Sequence, residues 1–395
     1  MNRGQKHIYA DYAASTPVDA RVLAVMRPYY DDRFANPGAV HVPGQHALKA
    51  VDESRGTLAQ ALGAKFEEIV FTGSASEANN LALRGAVMHW QRTRGAKRTP
   101  RVVISAIEHS SVSQTAKMLE NEGVEVVVLS VDEYGRIDEK RLARALNART
   151  VLVSLIYASN EIGTIQPIAR VGAQIREFRA SRKSGAYPLF HTDAVQAWQY
   201  IKLNVDELCV DMLSVSAQKI YGPKGVGALY VRETAQTHID PIITGGSQEF
   251  GLRSGTENVP AIVGFAAAVE DMEKKREKEV SRMRTIQTLF WERLQKNVSD
   301  VVLNGTAFGP ERLPNNCNVC FSGRDAYDLL VRLDLAGIAC SAGSACAARA
   351  FTPSQVVAAL PTKEDRAGSS LRFSFGRYTT KKEVEEIIRT ITQII

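Results

Sequence analysis

From Ile69 onward, short runs rich in β-branched residues alternate with longer segments whose apolar positions recur at helical spacing. The runs that predict strands are Ile69 to Thr72, Arg101 to Ser105, Val124 to Leu129, Thr150 to Ile156, Pro188 to Thr192, Met212 to Val215 and Gly227 to Val231. Helical patterns such as Glu77 to Arg92 and Ser110 to Glu122 lie between most of them. The alternation predicts an α/β domain, a mostly parallel seven-stranded sheet covered on both faces, with reactive side chains on loops at the strand ends. After Gly255 the texture changes. Val259 to Lys296 reads as one long helix, apolar first and then heavily charged. Beyond it come strand candidates Asn318 to Ser322 and Leu371 to Ser374, with helices around Ala326 to Leu335, Pro353 to Leu360 and Lys381 to Ile394. The expected division is a large α/β domain over 16–258 and a smaller α+β domain formed by 1–15 and 259–395, without internal repeats or low-complexity segments.

Composition narrows the class. A chain of 395 residues, 45% hydrophobic and 23% charged, has ordinary globular usage, which excludes wholesale disorder, a collagen and a disulfide mini-protein. The best apolar run, Val259 to Val269, breaks into the charged stretch Glu270 to Lys278, short of the roughly 20 residues a membrane span needs. Met1 to Ser15 lacks the apolar centre of a secretory signal, and the five cysteines (Cys209, Cys317, Cys320, Cys340, Cys346) are an odd, sparse set suited to a reducing compartment. The cytoplasm is the expected location. The net charge of +6 is spread along the chain, so an acidic partner is permitted and no direct nucleic-acid binding is expected.

Several segments carry candidate chemistry, each beside a plainer reading. Cys317-Asn-Val-Cys320 has metal or redox spacing, yet in a strand the two thiols fall on opposite faces, so it reads as structural and no metal site is expected. Gly73-Ser74-Ala75-Ser76 follows a strand and opens a helix, where free N–H groups and the helix dipole favour a phosphate; a simple helix cap is the commoner use of such a turn. Asp193 ends one apolar strand, and Lys219, 26 positions later, follows the next strand candidate. An acid and an amine at neighbouring strand ends suit a Schiff base with a pyridine aldehyde whose ring nitrogen pairs with the carboxylate; they also suit two solvated side chains. Cys340-Ser-Ala-Gly-Ser-Ala-Cys346 is a stretch of small residues in which a thiol can serve as a nucleophile. Arg372, on a probable strand, can clamp a carboxylate bidentately or make a structural salt bridge.

Ile8-Tyr-Ala-Asp-Tyr-Ala-Ala-Ser-Thr-Pro17, Ser159-Asn-Glu-Ile-Gly163, Lys219-Ile-Tyr-Gly-Pro-Lys-Gly225, Arg253-Ser-Gly-Thr-Glu-Asn258, Ser341-Ala-Gly-Ser-Ala-Cys346 and Ser370-Leu-Arg-Phe-Ser-Phe-Gly-Arg377 occur in that order along almost the whole chain. Together they resemble the cysteine desulfurases, enzymes of the class V aminotransferase group. The resemblance implies the type I fold of pyridoxal 5'-phosphate (PLP)-dependent transferases, with the large domain binding the cofactor and the small domain carrying the cysteine loop. It also implies roles. Lys219 is the Schiff-base lysine, Asp193 the partner of the pyridine nitrogen, and His109 a catalytic ring stacked on the cofactor. Gln196 bonds the phenolic oxygen, Asn160 lies near ring and substrate, and Ser76, Ser216 and Gln218 hold the phosphate. Thr256 reaches the phosphate of the neighbouring subunit, which makes the active unit a homodimer. Arg372, with Asn36 beside it, binds the carboxylate of L-cysteine, and Cys346 takes the sulfur for a sulfur-acceptor protein, an iron–sulfur scaffold or a thiolation enzyme. The alternatives are a selenocysteine lyase or another class V PLP enzyme.

Two departures stand out. The group usually has His before the Schiff-base lysine, where this chain has Gln218, and its phosphate turn generally reads Ser-Gly-Ala-Thr, where this chain has Gly-Ser-Ala-Ser. The spacing of 26 positions from Cys346 to Arg372 matches the subgroup with a long cysteine loop, group I. A chain ending at Ile395 lacks the extension that many of that subgroup use to dock an iron–sulfur scaffold, which leaves the acceptor open.

Overall fold

Seven strands hydrogen-bond into one sheet in the order Ile69–Thr72, Gly227–Val231, Met212–Ser216, Leu189–Asp193, Thr150–Ile156, Arg101–Ser105, Glu125–Leu129. This computed structural model describes residues 7–95, 98–182, 185–343, 353–362 and 366–395. Gly227–Val231 runs antiparallel to both its neighbours and every other pairing is parallel, so the sheet is the mostly parallel one that the alternation predicts. The strand expected from Pro188 begins at Leu189, because proline has no N–H for the ladder, and runs on through Asp193.

Both faces of the sheet are covered, which is why its central strands read as unbroken apolar runs. Successive side chains point to opposite faces. Val102 and Ile104 join a core cluster with Leu81, Ala82 and Trp90 of the helix Ala75–Arg94 and with Val112 of Ser110–Asn121. Val103 joins a second cluster with Val171 of Ile168–Arg182 and with Ile262 and Phe265 of the helix Val259–Asn297. That last helix has 39 residues and is capped by Asn258, whose side chain accepts from the N–H of Ala261. Against it lies Val42–Leu62, a helix absent from the sequence expectation, which buries Ala47, Ala50, Val51, Ser54, Leu58 and Leu62 and ends at the left-handed Gly63.

The rest of the chain supplies two small sheets. Ser370–Ser374, Asn316–Phe321 and Val301–Leu303 form an antiparallel sheet that packs against Ala326–Leu335 and Val259–Asn297, with Lys381–Ile394 packed on both of those helices. Near the other end, Ile8–Tyr9 pairs in parallel with Ile338–Ala339, and Asp11 then bridges to Ser374. The helix expected over Pro353 to Leu360 is only Gln355–Ala358, because Ser354 caps it late and Pro361 disfavours helical backbone at Leu360. No helix among the described residues is long and apolar enough to cross a membrane.

One glycine sets how closely the sheet approaches the Gly73 to Ser76 turn. Gly227 pairs with Thr72 on one side and Ser216 on the other. A Cβ there would lie 2.7 Å from the backbone of both Ser74 and Ala75 and 2.9 Å from the carbonyl oxygen of Val215. All three contacts are backbone and cannot rotate away. Gly227→Ala is therefore expected to cost about 1–3 kcal/mol, read as a lowered denaturant midpoint; an unchanged midpoint would mean that the turn has room to move.

Candidate active site

The carboxyl ends of the strands emerge along one edge, the place where open α/β sheets bind ligands, and a cavity of about 190 Å³ opens there. Asp193 is the last residue of its strand and Ser216 the last of the adjacent one, and the short turn Ala217–Lys219 brings Lys219 back to face the cavity. Ser76 lies in the first turn of Ala75–Arg94, whose cap is Ser74, and His109 caps Ser110–Asn121. Asn160, Gln196 and Gln218 come from the connecting loops, and Arg372 reaches in from the three-stranded sheet. All of these line the one cavity.

Three expected site residues are not among them. Thr256 is exposed and lines a separate cavity with Gly73 and Arg253, behind the phosphate turn. Asn36 is exposed, and its side-chain oxygen accepts from the N–H of Gly38 at 2.8 Å. Cys346 lies outside the described residues.

The charges in the cavity are ordered by hydrogen bonds. Asp193, only 4% exposed, accepts from the N–H of Val195 at 3.0 Å and from Nδ2 of Asn79 at 2.8 Å. The same Asn79 nitrogen donates to Oγ of Ser111, also at 2.8 Å. Nδ1 of His109 accepts from the N–H of Ser111 at 3.1 Å and lies 2.8 Å from its Oγ. Burial pushes the His109 imidazole below the ordinary histidine range, a shift that Asp193 opposes and Lys219 reinforces. The ring is neutral near pH 7, with Nδ1 as acceptor and its proton on Nε2. Nζ of Lys219 donates to the carbonyls of Ala13 at 2.7 Å and Ala14 at 2.6 Å, and Gln196 donates to Ala13 at 2.8 Å. Arg372 donates to Asp11 Oδ1 at 2.7 Å and to the carbonyl of Asn160 at 3.0 Å, while its Nε has no hydrogen-bond partner.

Asn79, Ser111, Asp11 and Glu108 belong to this site although sequence reasoning did not single them out. Asp11 stands inside the quoted N-terminal segment, and Glu108 directly precedes His109; the other two carry no signal beyond their helical positions. The Glu108 carboxyl is buried and accepts from Oγ of Ser105 and from the N–H of Ile156. Burial pushes it up to about 8, the two hydrogen bonds opposing and Asp193 adding. Glu108 is therefore largely protonated at neutral pH and brings little negative charge to the site.

The thiols differ from one another. Cys317 and Cys320 are buried in one strand, and burial pushes Cys317 up to about 12. Burial, with Asp11 adding, holds Cys340 far above the ordinary thiol range. Among the described residues no group of three or more His, Cys, Asp or Glu could hold a metal ion.

An amine, a buried carboxylate, an imidazole, a hydroxyl-lined helix N-terminus and a guanidinium on one cavity fit PLP and an amino acid. The buried Oδ1 of Asn160 and Nε of Arg372, unpartnered among the described residues, suit a polar guest. Fold and site define a PLP-dependent enzyme of the aminotransferase type. The family model for aminotransferase class-V matches residues 8–387. The chain is 40% identical over 391 residues to the cysteine desulfurase IscS of Dictyoglomus turgidum, covering 99% of this chain and 95% of that protein. Among solved structures, a NifS-like protein aligns with a TM-score of 0.87 at 32% identity over 98% of this chain and 99% of that one. A second, SspA in complex with cysteine, aligns with a TM-score of 0.80 at 36% identity over 94% and 99%. The chain belongs to the class V aminotransferase family, in its cysteine desulfurase branch.

The raised Glu108 value implies a pH effect with a definite sign. In the unfolded chain this carboxyl ionises near the ordinary value of 4.5, and in the fold near 8. Its contribution to stability is thus complete below about 4.5 and is lost as pH rises through about 8. Glu108→Gln, which keeps an acceptor for Ser105 and Ile156 and cannot ionise, is expected to flatten stability over that window by a few kcal/mol. Urea midpoints across the window measure it, and an unchanged slope would show that Glu108 is ionised in the fold.

Proposed function

We propose that the protein takes sulfur from L-cysteine, releasing L-alanine and leaving a persulfide on Cys346 for transfer to an acceptor protein. The observation that carries this reading is the convergence of Lys219, Asp193, His109 and Arg372 on one cavity in a chain of this family. PLP, when bound, draws electrons from the substrate's α-carbon into its ring. Lys219 would hold it, with Ser76, Ser216 and Gln218 on the phosphate, Gln196 and Asn160 beside the ring, and Asp193 on the ring nitrogen.

Each residue then has a defined task. Asp193, held in place by two N–H donors, would keep a proton on the ring nitrogen. Lys219, poised on the carbonyls of Ala13 and Ala14, takes the Cα proton of the substrate. Arg372 grips the substrate carboxylate. The Cys346 thiolate attacks the substrate sulfur; the C–S bond breaks with its electron pair remaining on Cβ, which takes up a proton, and Lys219 returns its proton to Cα to give alanine. Sulfane sulfur then stays bound to Cys346. Splitting the reaction between two nucleophiles, Lys219 and Cys346, divides one difficult cleavage into easier steps.

Homodimerisation accounts for the position of Thr256, exposed in one chain and reaching the partner's phosphate. The acceptor is an iron–sulfur scaffold or a thiolation enzyme, and the reaction runs in the cytoplasm. Two expected outcomes test the reading. Borohydride reduction and peptide mapping should place a pyridoxyl group on Lys219, and finding it on Lys224 would end that assignment. Cys346→Ala should keep the visible cofactor band while alanine formation from cysteine falls to background; if Cys340→Ala does this instead, the sulfur carrier is the other thiol.

A further inference from the structure

The substrate's carboxylate, on the reading above, meets Arg372, and the question is what holds that guanidinium in place. Its side chain is 1% exposed. One terminal nitrogen donates to Oδ1 of Asp11 at 2.7 Å and the other to the carbonyl of Asn160 at 3.0 Å. Asp11 is itself held: its Oδ2 accepts from Oγ of Ser341 at 3.0 Å, and its backbone bridges to Ser374. Ser341 in turn exchanges backbone hydrogen bonds with Arg372, donating to its carbonyl at 3.2 Å and accepting from its N–H at 2.6 Å. Asp11, Ser341 and Arg372 thus form a closed ring of contacts, four hydrogen bonds joining three segments far apart in sequence.

We infer that Asp11 is the positioning residue for substrate recognition, fixing the plane of the Arg372 guanidinium so that its remaining N–H groups meet the α-carboxylate of an amino acid. This rests on the reading of Arg372 as the carboxylate clamp. An arginine side chain is long and rotamer-rich, and its fork binds a carboxylate well only when its plane is set beforehand. The Asn160 carbonyl sets one nitrogen; a plane needs a second anchor, and Asp11 is that anchor. The task is geometric. An asparagine at position 11 retains an oxygen to accept from Arg372 and a nitrogen to donate to Ser341, whereas alanine retains neither.

A contact made equally before and during reaction acts on KM rather than kcat. Asp11→Ala is expected to raise KM for L-cysteine about tenfold, with kcat and the visible cofactor band unchanged within about twofold. Asp11→Asn is expected to restore KM to the parent value or below it, since it also frees the positive charge of Arg372. Should Asp11→Ala fail to fold, Ser341→Ala removes the anchor of Asp11 alone and is expected to raise KM two- to threefold. The inference is overturned if both alanine variants leave KM unchanged, or if Asp11→Ala lowers kcat and cofactor loading with KM intact, the pattern of a purely structural role. Titration with L-alanine, followed by the cofactor band, repeats the comparison without turnover. A parent enzyme that binds L-alanine yet makes none from cysteine would sink the proposed activity, while the effect of Asp11→Ala on L-alanine affinity would still decide the role of Asp11.

Discussion

Asp193 puts a carboxylate almost wholly out of reach of water, and much of the site follows from what that demands. An unpaired buried carboxylate costs several kcal/mol or gives up its charge. Here Val195 satisfies one oxygen and Asn79 the other. The Asn79 amide can point only one way, because its oxygen turned toward Asp193 would set two acceptors against each other. That orientation sends its other hydrogen to Ser111, so the hydroxyl proton of Ser111 is directed at Nδ1 of His109. One amide therefore orders both the carboxylate and the imidazole, at the cost of leaving its own oxygen without a partner. The helix Ala75–Arg94 that carries Asn79 also begins at Ser74 to Ser76, so the Gly73 to Ser76 turn and the Asp193 contact are set by one rigid element.

The second constraint is the short segment from Asp11 to Thr16. It crosses from the small sheets to the large one and touches a reactive group at nearly every step. Asp11 holds Arg372, the carbonyls of Ala13 and Ala14 receive Lys219, and Ala13 also receives Gln196. Thr16 donates through its hydroxyl to the carbonyl of Gln218 at 2.9 Å and accepts from the N–H of Tyr221 at 2.9 Å, closing the turn that presents Lys219. Lys219 and Arg372 thus share one backbone support, and a shift in either sheet is felt by both.

How much of this the amino-acid sequence discloses depends on the range of the interaction that makes each feature. Strands buried on both faces read as short, largely apolar runs, so Thr150–Ile156 and Gly227–Val231 are legible to the residue. Val42–Leu62 is not, because its buried face is built largely of Ala, Ser and Gly, which carry little hydrophobic contrast; its partner helix makes it, and that helix begins nearly two hundred residues later. Asp193 and Lys219 are suggestive at strand ends and become specific only through resemblance to a family. Asn79 and Asp11 act by side-chain contacts across 114 and 361 positions, and no local pattern encodes such a pairing. Glu108 is hidden for another reason: a glutamate in sequence looks solvated, and only tertiary burial turns it into a neutral acid.

Burial also sorts the thiols, and this bears on which one can carry sulfur. Only the thiolate attacks, and a thiol pushed to about 12, as in Cys317, is ionised at neutral pH to the order of one part in 10⁵. Cys340 is held higher still, and the Asp11 carboxylate that helps to hold it there is the same group that orients Arg372. The carboxylate that accepts from Arg372 thus adds to the suppression of the thiol beside it, a shift that Arg372 itself opposes. Cys209 stands at the left-handed end of a short helix, with its thiol donating to the carbonyl of Asp206 at 3.4 Å, and it does not line the cavity. Cys346, the thiol proposed to carry sulfur, stands six positions beyond Cys340 in the sequence.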